Sequence, residues 1–259
     1  MNKAEQRRQQ WIAQRKKTIE DRRAEAAETL KDHTYTALVD QPDAKVWRCK
    51  AAGTTAYAFD IMMTRFGIAV VGDIDNLTFE VGIGYGIEFL AKDDIDYYVH
   101  SKLSPRCKER EFDEAAFRVA LVTGVRRRIT ENTDDETFDD LPEWIRDDDE
   151  GENTAARWND LREFVNGKLK ALTPLDEGID TWCELNDLLR RADHVSYAEE
   201  AREFMSENEE ALGLGDCSCE ITIEKTRESL IRRLYLINHA ARAIIAQQQP
   251  AEQAQAVAS

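Results

Sequence analysis

The sequence reads as an α+β chain in which a small antiparallel sheet is followed by a larger helical region. Three observations carry this. Between Tyr35 and Leu103, short runs rich in β-branched and aromatic residues are cut by Gly53, Gly67 and Gly72-Asp73, a texture that suits successive hairpins. From Ser104-Pro105 onward the apolar residues recur instead at i, i+3, i+4. The β-type runs also lie too close together for the crossover helices a parallel sheet requires.

Taken in order, residues 1–32 hold no Gly or Pro and are rich in Ala, Glu, Gln, Lys and Arg, which predicts a charged N-terminal helix. Trp11, Ile12, Ile19 and Leu30 are too sparse for a buried stripe, so the helix is expected on the surface or reaching towards a partner. Arg7, Arg8, Arg15, Lys16, Lys17, Arg22 and Arg23 make it the one basic stretch, read as a solvated face with internal ion pairs rather than a nucleic-acid contact. A small antiparallel β-rich domain is expected over 33–103, with strands near Val46–Cys49, Ala56–Met62, Ile68–Val71 and Leu77–Val81. A helical domain is expected over 104–247. It opens with Asp113 capping a helix to Arg128, continues through 155–172 and 175–192, then a capping box at Ser196-Tyr197-Ala198-Glu199, and ends in a helix over 222–247. The tail 248–259, rich in Gln, Ala and Pro, is expected to be disordered.

Charge narrows the function. The 259 residues hold 51 acidic and 35 basic side chains, a net charge of −16. Direct binding to a nucleic-acid backbone draws on clustered Lys and Arg and is disfavoured, whereas a basic partner suits the chain. No run approaches the length a membrane span needs and the N-terminus leads into no apolar signal core, so a cytoplasmic protein is expected. Cys49, Cys107, Cys183, Cys217 and Cys219 are odd in number and scattered, which fits reduced thiols without a disulfide framework or a zinc site.

The densest feature lies between Glu131 and Glu152, where twelve acidic residues face a single base, Arg146. Carboxylates packed this closely repel one another, so the segment is a hydrated loop or a surface awaiting Lys and Arg side chains, with a metal-binding role the least supported. Phe138 and Trp144 are aromatics that a pure spacer has no use for, and an acidic interface uses such residues as anchors. The candidate partner-binding set is therefore Asp134, Asp135, Phe138, Asp139, Asp140, Trp144, Asp147, Asp148 and Asp149. Other motifs carry less. Gly82-Ile83-Gly84-Tyr85-Gly86 lacks the spacing of a phosphate-binding loop. Cys217-Ser218-Cys219 has no second cysteine pair, and His33, His100, His194 and His239 stand far apart. No cofactor, metal site or catalytic residue is assigned.

One stretch carries a resemblance. Val46-Trp47-Arg48-Cys49 leads through Gly53-Thr54-Thr55-Ala56-Tyr57-Ala58-Phe59-Asp60 to the Gly72-Asp73 turn and Leu77-Thr78-Phe79. With Asp96-Tyr97-Tyr98-Val99-His100-Ser101-Lys102-Leu103 it resembles a recurrent family of bacteriophage proteins over about residues 35–103. The resemblance implies a phage origin and a setting in the host bacterial cytoplasm, and carries over no catalytic residue. By analogy with host-takeover proteins, the expected function is a non-enzymatic inhibitor of a host defence complex, in the manner of anti-CRISPR proteins. Its partner would be a basic host protein or nucleoprotein complex such as a CRISPR effector. The alternatives are an enzyme with Asp73, Asp75 and either Asp96 or His100 gathered at one end of the sheet to bind a divalent metal, and a phage accessory or structural protein.

Overall fold

A computed structural model describes residues 3–82, 84–133, 138–146, 157–171, 179–215 and 221–257. The fold is α+β, with a five-stranded antiparallel sheet and a separate two-stranded one. Contacts divide the chain into two compact units, residues 1–109 with 226–259, and residues 110–225.

The first unit begins with α1 (Lys3–Thr29), followed by a meander of β1 (His33–Gln41), β2 (Ala44–Ala51), β3 (Phe59–Thr64), β4 (Gly67–Gly72) and β5 (Leu77–Phe79). Each strand pairs with its neighbour in sequence, as short turn-linked runs dictate. Alternation sets the faces: Trp47, Cys49, Phe59, Ile61, Ile68, Val70, Leu77 and Phe79 point inward. Between them on β2 and β3, Arg48 and Asp60 sit opposite each other on the outer face and form a two-point ion pair at 2.9 and 2.8 Å. Gly72 permits the turn after β4, because a Cβ there would lie 2.4 Å from the Ala58 carbonyl oxygen.

The chain then makes the short helix α2 (Ile87–Leu90) and a π-helical turn over Ile95–Val99. The unit is completed by α8 (Glu228–Val257), from the far end of the sequence. Leu230, Leu234, Tyr235, Ile237, Ala240, Ala241 and Ile244 bring its apolar face into the sheet's core, joined by Ala26 and Leu30 of α1. Each buried Leu or Ile of this set contributes about 1.5–3 kcal/mol, the alanines less. Asn238 of α8 is buried yet satisfied, its amide donating to the carbonyls of Leu90 at 2.6 Å and Lys92 at 2.8 Å. It thereby engages carbonyls that the end of α2 leaves without helical partners.

The second unit is an insertion in the sequence of the first. Its entry and exit, β6 (Arg110–Phe112) and β7 (Glu224–Thr226), form the two-stranded sheet. Between them lie α3 (Glu114–Glu131), α4 (Glu143–Arg146), α5 (Arg157–Ala171), α6 (Ile179–Ala192) and α7 (Ala198–Glu207). Asp113 caps α3 as its sequence position suggests, accepting the Ala116 N–H at 3.3 Å. The core joins Phe117, Leu121 and Val125 of α3 to Leu161 and Val165 of α5, Leu185 and Leu189 of α6, and Phe204 and Met205 of α7. Gly124 lets α3 approach the 211–215 turn closely, since a Cβ there would meet the Leu212 carbonyl oxygen at 2.5 Å.

Several expectations are corrected. The domain boundaries 33–103 and 104–247 differ from those the contacts draw, because α1 and α8 supply one side of the sheet's core and the helical unit stops at 225. Strand β1 went unassigned, and its mostly exposed residues explain why: an edge strand needs no regular apolar alternation. The last helix continues through Pro250 to Val257, where disorder was expected. Ala, Gln and Glu, all good helix formers, dominate that stretch. The capping box does not form: Tyr197 is the N-cap of α7 and offers no side-chain cap, the Ser196 hydroxyl donates to the His194 carbonyl at 3.1 Å, and Glu200 accepts the Ser196 N–H at 3.0 Å.

Candidate protein interface

The acidity belongs to one unit. Of the 51 acidic residues, 32 lie in residues 110–225, against 14 of the 35 basic ones, a net charge of −18. The remaining 19 acidic and 21 basic residues leave the sheet unit at +2. In the sheet unit the charges are largely used between elements: Arg22 with Asp96 and Glu228, Arg23 and Arg242 with Asp93, Arg233 with Asp75 and Glu109.

Within the helical unit the candidate set is only partly visible. Asp134, Asp135, Asp147, Asp148 and Asp149 lie outside the described residues. Asp139 and Asp140 are exposed at the turn before α4, and Asp139 meets Arg146 at 3.4 Å. Phe138 and Trp144 are half-buried and packed against the core, beside fully buried Leu141 and Ile145. The local sequence explains this, since Leu141 and Ile145 stand four apart and turn one face of the segment inward. Trp144 is therefore only half covered by the fold.

Two aromatics on the helices expected over 155–172 and 175–192 extend this surface. Phe164 of α5 stands edge-on between Trp144 of α4, at a centroid distance of 6.4 Å, and Trp182 of α6, at 5.9 Å. All three are half-buried. Arg157 lies 5.9 Å over the Trp144 ring and Lys168 5.4 Å over Phe164, so cationic groups already favour these faces. Exposed Glu143, Glu163 and Glu184 share the same helices. Glu184 is already paired with Arg128 at 3.1 Å, while Glu143 and Glu163 add negative charge to helices that carry partly apolar rings, a combination that suits Lys- and Arg-bearing surfaces by attracting them at a distance and giving their aliphatic stems a place to lie. The i, i+3 spacing of the two rings from buried Leu161 and Leu185 puts them on the apolar stripes, and spacing alone does not separate the margin of a stripe from its middle.

The residues considered for an enzyme have other partners in the sheet unit. Asp73 accepts the Tyr57 N–H at 2.7 Å and fixes a backbone turn in which Tyr57 takes a positive φ of 54°. Asp75 binds Arg233 at 2.5 Å, and Asp96 binds Arg22 at 3.5 Å and accepts from the Tyr235 hydroxyl at 3.4 Å. The His100 ring lies 3.4 Å from the Thr226 hydroxyl. Among the described residues no three His, Cys, Asp or Glu side chains are grouped to hold a metal ion. Burial pushes the Cys49 thiol up to about 12, which suits a core residue and not a nucleophile. Cys49, Cys107 and Cys183 are free thiols; Cys217 and Cys219 lie outside the described residues. No helix among the described residues is long and apolar enough to cross a membrane.

No family model, curated sequence or solved structure matches the chain.

Proposed function

We propose that the protein is a non-enzymatic binding protein whose inserted helical unit presents an acidic surface to a basic partner. The particular reading is a phage-encoded inhibitor of a host defence complex, occupying Lys and Arg side chains that otherwise hold nucleic acid in a CRISPR effector or a similar assembly. The observation that carries it is the segregation of charge: −18 in residues 110–225 beside +2 elsewhere. Charge placed only for solubility needs no such partition, whereas charge placed for a partner is concentrated where the partner docks. Encounter would be steered by the carboxylates, and the Trp144–Phe164–Trp182 ladder would slow dissociation. The phage setting rests on the resemblance over residues 35–103.

The test is displacement of labelled double-stranded DNA from purified CRISPR effector complexes as a function of salt. Displacement is expected at low salt, weakening as salt rises. A variant with Asp134, Asp135, Asp139, Asp140, Asp147 and Asp148 changed to Asn should require at least about tenfold more protein. Equal potency of that variant, or no displacement from any complex, would remove this reading.

A further inference from the structure

The basic end of α1 is only loosely engaged by the fold: Arg15 reaches Asp94 at 4.0 Å and Lys16 reaches Glu20 at 3.9 Å. From Thr18 to Leu30 the helix is anchored: Ala26 and Leu30 are buried, Ile19 is packed on the core, and Arg22 and Arg23 are engaged by Asp96, Glu228 and Asp93. Before Thr18 the character changes. Residues 5, 6 and 8–17 are all exposed, Trp11 to 53% and Ile12 to 49%. Ile12, Ile19 and Ala26 recur every seven residues, so Ile12, with Trp11 beside it, continues the buried stripe onto helix that buries neither. Arg15 lies 5.4 Å over the Trp11 ring, giving this end a combined cationic and aromatic face. Residues 3–17 hold six basic side chains and one acidic, a charge of +5.

We propose that this arm docks on the acidic helical unit of a second copy of the chain. The argument is charge complementarity: the arm at +5 meets an insertion at −18, and every second copy brings both. Net repulsion between two molecules at −16 opposes association, but it is felt within a screening length of about 8–10 Å at physiological salt. An arm of fifteen helical residues spans about 22 Å, more than that length and about equal to the ~20 Å screening length at 20 mM salt, so its outer turns can meet the neighbour's local surface before repulsion between the bodies is fully felt. Trp11 and Ile12 would then find the cover they lack in the free chain. The contact is heterologous, arm to insertion, and can link copies in rings or open chains.

The experiment is sedimentation velocity of the full chain from 1 to 200 µM at 20, 150 and 500 mM NaCl. The expected result is association that grows with concentration at 20 mM and has an affinity at least tenfold weaker at 150 mM, with monomer alone at 500 mM. The arm variant Trp11→Ser, Ile12→Ser, Lys16→Glu, Lys17→Glu should be monomeric throughout and should melt as wild type does, since these side chains are exposed. A second variant, Asp139→Lys, Asp140→Lys, Glu143→Lys, should also be monomeric alone but should associate when mixed with the arm variant. Monomer at 200 µM and 20 mM NaCl, association insensitive to salt, or wild-type association by the arm variant would overturn the proposal. So would a chain that stays monomeric while its arm binds a labelled DNA or RNA duplex, which would make nucleic acid the occupant.

Discussion

The sheet unit and the helical unit solve the same problem, burying a core, from opposite positions in the sequence. The helical unit is contiguous: its core-forming helices follow one another between Arg110 and Lys225, and its charge is left to face outward. The sheet unit is assembled from sequence ends more than 200 residues apart, with Glu25 of α1 paired to Arg232 of α8 and both helices on one core. Its charges close on one another across elements, as in Arg22 with Glu228 and Arg242 with Asp93. Both units pair charges across elements, Arg128 of α3 with Glu184 of α6 and Arg202 of α7 with Glu224 of β7 in the helical one, so the difference lies in the excess: at −18 the helical unit holds far more carboxylates than its own bases can meet.

The largest test of that contrast removes α8. Deleting residues 228–259 should unfold the sheet unit outright, because Leu230, Leu234, Tyr235, Ile237 and Ile244 leave its core together. The helical unit should keep its own thermal transition, and calorimetry would resolve the two; loss of both would break the division. Next in size is Gly124→Val, which forces a side chain against the Leu212 carbonyl and the Leu214 methyl group. About 3 kcal/mol of destabilisation is expected, confined to the helical unit's transition in urea. Smaller still is salt: 500 mM NaCl should raise the helical unit's melting temperature by a few degrees, about 1 kcal/mol, by screening repulsion at −18, and leave the sheet unit nearly still.

The smallest expected effects are titrations in the sheet unit. Burial, reinforced by the Arg242 charge, holds the His239 imidazole below its ordinary 6.5. The unfolded chain therefore takes up a proton that the folded chain resists, so this contribution is present above about pH 6.5 and lost as pH falls below it. His239→Gln should flatten the stability profile there. Asp93 shifts in the same direction for a different reason, its carboxyl held below 3.8 by hydrogen bonds from Arg242 and Arg23. Its contribution is present above 3.8 and lost as pH falls through the lower folded value. Because Asp93 is 83% exposed, Asp93→Asn should cost only a few tenths of a kcal/mol by urea titration at pH 7.

Much of the fold was legible because short-range rules wrote it. Strands β2 to β5 show alternation and turn residues, and Asp113 announces the start of α3. What was not legible depended on distant partners. Nothing in Leu230 to Ile244 says which apolar surface the last helix covers, and the helical pattern alone joined it to its neighbours in sequence. The anchored half of α1 was hidden likewise, since Ala26 is a weak apolar signal until a partner helix covers it. In the candidate interface, Phe138 and Trp144 stood out by contrast with their acidic surroundings. Phe164 and Trp182 did not, because a ring at the edge of an apolar stripe is indistinguishable by spacing from one inside it.

The most direct measurement separates the two units. Residues 110–225, expressed alone, and a chain in which β6 and β7 are joined by a short turn in place of 113–223, would each be assayed for DNA displacement from CRISPR effector complexes across a salt series. The isolated insertion should displace DNA with a potency within about threefold of the full chain, and with a comparable salt dependence, while the sheet unit should be inactive. Activity that follows the sheet unit, or an insertion that folds yet displaces nothing while the full chain does, would contradict the assignment of binding to the acidic unit.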